Sequence, residues 1–83
     1  MKVEVKLFAS LRARMPNGAG RGTMEMEDGA TLSALLSKLD IPSELSQMTL
    51  INGGHCPPER EWRDKKKLKE GDVVSIFPPL AGG

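Results

Sequence analysis

Residues 2–8 read KVEVKLF. Val3, Val5 and Leu7 alternate with Lys2, Glu4 and Lys6, and this period of two predicts a strand with one face on a core and the other in water. Near the opposite end, residues 73–77 read VVSIF, apolar except for Ser75, which predicts a central strand covered on both faces. Between them lies the one long helical signal. Leu32, Leu35, Leu36 and Leu39 fall at i, i+3, i+4 and i+7 behind Thr31 as N-cap, and Asp40 and Pro42 end the run.

Weaker elements fill the rest. Ala9 to Met15 suits a short helical turn anchored by Leu11 and stopped by Pro16. Residues 16–22, PNGAGRG, read as a flexible loop joining a hairpin whose second strand is Thr23–Glu27. Turns are expected at Asp28-Gly29, Asn52-Gly53-Gly54 and Glu70-Gly71-Asp72, with a further strand at Met48–Ile51. Residues 55–71 are polar and show no clear period, leaving room for a weak strand near 54–62. The order β, β, α, β, β, with a helical crossover between the halves, lets the first and last strands lie parallel and adjacent. One main helix then covers one face of a mixed sheet of four to five strands. That is an α+β chain of the β-grasp, or ubiquitin-like, type, with a domain over residues 1–77 and a flexible tail over 78–83.

Size and charge narrow the function. The sequence has 83 residues, 12 Lys+Arg against 11 Asp+Glu, one His and one Cys. This fits one domain with a modest core and excludes a Rossmann or barrel enzyme. A formal net charge of +1 argues against nucleic-acid binding driven by counterion release, and three large aromatics, Phe8, Trp62 and Phe77, make a poor stacking platform. A single Cys cannot form an intrachain disulfide. Lys2, Glu4 and Lys6 interrupt any signal-peptide core, and no apolar run nears the roughly 20 residues that span a bilayer. The expectation is a cytoplasmic chain without a membrane partner.

Side-chain chemistry is sparse. His55 and Cys56 are neighbours, and in an extended segment they point to opposite faces, so they do not make a nucleophile–base pair. They are too few for zinc, which takes about four ligands. Gly18, Gly20 and Gly22 imitate a phosphate loop without a following helix or a Lys-Ser/Thr pair. Lys65-Lys66-Lys67 read as a solvated turn, and Trp62 as a cover for the edge of the core.

The remaining candidate is the tail. After Phe77 come Pro78, Pro79, Leu80, Ala81, Gly82 and Gly83. Two prolines fix φ and carry the chain off the sheet as a stalk. Leu80 is one apolar handle, and Ala81, Gly82 and Gly83 thin the chain to bare backbone. Such an arm can enter a narrow channel and present the Gly83 carboxylate to an enzyme. Adenylation with ATP would make that carboxylate electrophilic, with a partner supplying Mg²⁺ and phosphate contacts.

With these residues in view, the sequence resembles the ThiS/MoaD family of ubiquitin-like sulfur carriers. VKLFASLR is similar to MoaD openings, and GDVVSIFPPLAGG is more so. INGGHCPPEREW followed by LKEGD is similar to the ThiS pattern. The resemblance implies a non-enzymatic carrier with Gly83 as thiocarboxylate acceptor, Gly82 and Ala81 as slim neighbours, and Phe77, Pro78, Pro79 and Leu80 as docking surface. It implies two partners, a ubiquitin-activating-type adenylyltransferase and a sulfur-accepting synthase subunit, and no cofactor on this chain, since ATP and Mg²⁺ belong to the activating partner. Molybdopterin-type delivery is favoured by the Phe-Pro-Pro ending, with the thiazole of thiamin next. Two rivals stay open, a protein modifier conjugated through Gly83 and a binding module without tail chemistry.

Overall fold

The computed structural model describes residues 1–79. Strand β1 (Lys2–Leu7) leads through a 3-10 turn at Ala9–Arg14 to β2 (Arg21–Glu25). Helix α1 (Leu32–Lys38) crosses to a second 3-10 turn at Ser43–Leu45, then β3 (Met48–Ile51), β4 (Gly54–His55), helix α2 (Arg60–Lys65) and β5 (Val73–Phe77). The five strands form one sheet in the order β2-β1-β5-β3-β4. β5 runs parallel to β1 and antiparallel to β3, so the last strand of the chain is central. The parallel pairing of first and last strands follows the sequence expectation.

The core lies between one sheet face and the helices. Val3, Val5 and Leu7 of β1, Met24 of β2, and Val74 and Ile76 of β5 pack against Leu32, Leu35 and Leu36 of α1. Leu11, Met15, Leu39 and Leu68 close its ends. Thr31 caps α1 as expected, its Oγ1 accepting from the Ala34 amide at 3.2 Å.

Five expectations need correction. β5 is not covered on both faces: Val74 and Ile76 are buried while Val73, Ser75 and Phe77 are only half-buried, because among the described residues no element packs on the second face. β2 starts at Arg21 rather than Thr23, since Asn17 organises the preceding loop by accepting from the Ala19 amide and donating to the Arg21 carbonyl. The weak strand near 54–62 shrinks to Gly54–His55, and residues 60–65 form a second helix. Trp62, on that helix, is 37% exposed beneath the Lys66 ammonium and does not cover the core; Lys65 ends the helix and Lys67 bridges to Thr31, so the lysine run is not a simple turn.

Helix α2 lacks an apolar stripe and is held another way. Arg63 is its buried residue, 4% exposed. Its guanidinium donates to the carbonyls of Pro57, Ser46 and Gln47 and to the Ser46 hydroxyl. Burial lowers its pKa from the ordinary arginine value. The four acceptors are what make a buried cation tolerable there.

Candidate functional site

β5 delivers the chain to the tail. Two flanking ladders fix its register, with Ile76 beside Leu7 on one side and Thr49 on the other. The ladder continues past β1, where the Phe8 amide donates to the Ile76 carbonyl at 3.2 Å. Ala9 then takes φ of 52°, and the chain turns off the sheet into the first 3-10 turn. This leaves Phe8 on the uncovered face, where it stacks on Phe77 with ring centroids 4.2 Å apart and planes 7° from parallel. Met48 is opposite Phe77 on β3 and is 45% exposed. Phe8, Phe77 and Met48 therefore form an apolar band across three strands at the end where the tail departs. Pro78 is half-buried and Pro79 exposed. Neither has an amide hydrogen to continue the ladder, so strand pairing stops at Phe77.

Of the residues chosen from sequence, Phe77, Pro78 and Pro79 stand together at this exit. Leu80, Ala81, Gly82 and Gly83 lie outside the described residues. Phe8 and Met48 were not expected here. The signal for Phe8 was present: with Val3, Val5 and Leu7 inward, the alternation places it among the outward polar residues, where an aromatic has no reason to sit unless something packs on it.

The alternative centres are distant from catalysis. Cys56 is buried and His55 exposed, on opposite faces as adjacent extended residues must be. Burial pushes the Cys56 thiol up, and the Arg63 charge offsets this only in part. A neutral buried thiol is a weak nucleophile. Among the described residues no three His, Cys, Asp or Glu side chains gather in a way that could hold a metal ion, and no helix is long and apolar enough to cross a membrane.

A mixed sheet with parallel first and last strands, one crossing helix and a tail leaving the central strand beside an apolar band defines a ubiquitin-like protein of the β-grasp class. The profile of the ThiS family matches residues 5–83, and the chain belongs to that family. It is 35% identical to a molybdopterin synthase sulfur carrier subunit of Chlamydomonas reinhardtii, the alignment covering 100% of both chains. It is 29% identical to small archaeal modifier protein 3 of Haloferax volcanii, again over 100% of both. Among solved structures, a putative molybdopterin converting factor subunit 1 from Pyrococcus furiosus superposes with a TM-score of 0.71 at 26% identity, over 96% of this chain and 99% of that one.

Proposed function

We propose that this chain is a sulfur carrier whose working atom is the carbonyl carbon of Gly83. One observation carries the reading: the central strand passes at Phe77 straight into Pro-Pro-Leu-Ala-Gly-Gly, beside an uncovered apolar band. A ubiquitin-activating-type adenylyltransferase docks on that band and takes the tail into its channel. There the Gly83 carboxylate attacks the α-phosphorus of ATP, with Mg²⁺ held by the partner, and pyrophosphate leaves. A hydrosulfide-level donor then attacks the acyl-adenylate carbonyl and AMP departs, leaving a thiocarboxylate. The protein is a recycled co-substrate and contributes no catalytic side chain of its own. It docks next on a synthase subunit that accepts the sulfur. Likeness over the full length to a molybdopterin synthase sulfur carrier subunit supports molybdopterin-type delivery ahead of thiamin thiazole.

Likeness to an archaeal modifier supports a second reading, conjugation to lysines through the same adenylate. Removing Gly82 and Gly83 separates the possibilities. Carrier and modifier both lose function completely, the modifier alone also losing higher-mass conjugates in cells. Retained function in the truncated chain would leave only a binding module.

A further inference from the structure

The sulfur atoms of this chain are unevenly placed. Its five methionines and one cysteine all lie within the described residues. Met15, Met24 and Met26 sit in the core, none more than 9% exposed, and the Met1 side chain packs against that core at 5%. Cys56 is buried as well, and burial keeps its thiol in the neutral form, which peroxides attack slowly. Met48 alone stands out, at 45% exposed.

The sheet fixes where that thioether lies. The register of β3 on β5 sets Met48 directly opposite Phe77, and cross-strand partners have their Cβ atoms about 4.5–5.5 Å apart. This spacing brings the sulfur within reach of the Phe77 ring, which is itself stacked on Phe8. Core packing gives no reason for a methionine at so open a position, and a β-branched residue suits an exposed strand site better. A leucine of similar volume would keep the band apolar.

What methionine adds is an oxidation that can be undone. A peroxide gives one oxygen to the sulfur lone pair: the S–O bond forms, the O–O bond breaks, sulfur loses two electrons, and the peroxide leaves as water or an alcohol. The sulfoxide is polar, and here it would stand inside an apolar band. Reduction by a dithiol-dependent reductase reverses the step, the oxygen leaving as water while the dithiol closes to a disulfide.

We propose that Met48 is a reversible oxidation site through which peroxide lowers the loading of this chain. The site follows from the burial of the other five sulfurs; its effect on loading rests on the carrier reading. Chemistry gives the switch a use. A thiocarboxylate is a nucleophilic sulfur open to the same oxidants, so a chain that stops loading under peroxide is not charged only to lose its sulfur.

The first test needs no enzyme. The full-length chain is treated with graded hydrogen peroxide, cleared with catalase and mapped by peptide mass spectrometry. One oxygen is expected at Met48 about tenfold faster than at any other sulfur, without change in circular dichroism, and this fast step is expected to vanish in Met48→Leu. Oxidation that starts at Cys56 or at another methionine, or that strikes all sulfurs alike, would overturn the proposal. The singly oxidised chain, free of peroxide, is then given to the adenylyltransferase. KM is expected to rise about tenfold with kcat retained, and to return after treatment with the two methionine sulfoxide reductases and a dithiol. In Met48→Leu, peroxide treatment is expected to leave KM at that variant's own starting value. An unchanged KM in the oxidised wild type, or a rise that the reductases do not reverse, would sink the switch. A wild-type chain that is never adenylated even before peroxide counts instead against the carrier reading.

Discussion

Replacing Arg63 by Ala removes the fastening of α2. Four hydrogen bonds go: Nε to the Pro57 carbonyl at 2.8 Å, and the guanidinium amines to the Ser46 carbonyl at 2.6 Å, the Ser46 hydroxyl at 3.2 Å and the Gln47 carbonyl at 3.3 Å. The loss is not four times one bond. The Ser46 carbonyl keeps the Thr49 hydroxyl at 2.7 Å, and the Ser46 hydroxyl keeps the Ser43 carbonyl. The Pro57 and Gln47 carbonyls lose the donors that Arg63 provides, at about 1–3 kcal/mol for each acceptor left buried. Solvent reaches Gln47 easily, since that residue is exposed, so the lower end applies there. Adding the lost packing of the arginine stem and subtracting relief from burying a cation gives a net cost of about 3 kcal/mol. A domain of this size holds roughly 4–12 kcal/mol in all. The melting temperature should then fall by about 12–24 °C, measured by circular dichroism, with urea unfolding giving the free energy. Arg63→Met keeps much of the stem without the donors and isolates the hydrogen bonds. Loss below about 1 kcal/mol in both variants would refute the idea that this guanidinium holds the second helix.

Other outcomes follow from the same geometry. Thr31→Ala deletes the cap on the Ala34 amide and should cost about 1 kcal/mol in urea unfolding, with Thr31→Ser restoring most of it. Because burial raises the Cys56 thiol, the unfolded chain gives up its proton first as pH climbs past about 8.5. The thiol's contribution is therefore complete below that range and declines above it until the native thiol also ionises; Cys56→Ala should remove this part of the alkaline slope, and superimposable slopes would contradict it. Gly82→Ala adds one methyl within the tail and should slow adenylation by about a hundredfold if the channel is narrow, without moving the melting temperature. Normal thiocarboxylation of that variant would dispose of the narrow-channel argument.

The fold was legible where periodicity and burial coincide. β1 declares itself by alternation, and α1 by four leucines behind a threonine, because each buries its apolar residues on one side. α2 was not legible, since the residue that anchors it is a charged arginine and Trp62 stays exposed. Apolar pattern cannot report a helix fixed by hydrogen bonds from a cation. β5 misled for a related reason: its outward positions carry Val73 and Phe77, residues that suggest burial, and here they belong to an uncovered face. Of the site, Phe77, Pro78 and Pro79 could be read directly from their order after the last strand. Met48 required the register between β3 and β5, which arises only from long-range pairing.

The most direct measurement is intact and fragment mass spectrometry of the full chain after incubation with a competent adenylyltransferase, ATP and a sulfide source. The expected product gains one sulfur in place of one oxygen, with the change confined to the fragment holding Gly83. An unaltered mass, or sulfur located at Cys56 instead, would contradict the claim that the backbone end does the work.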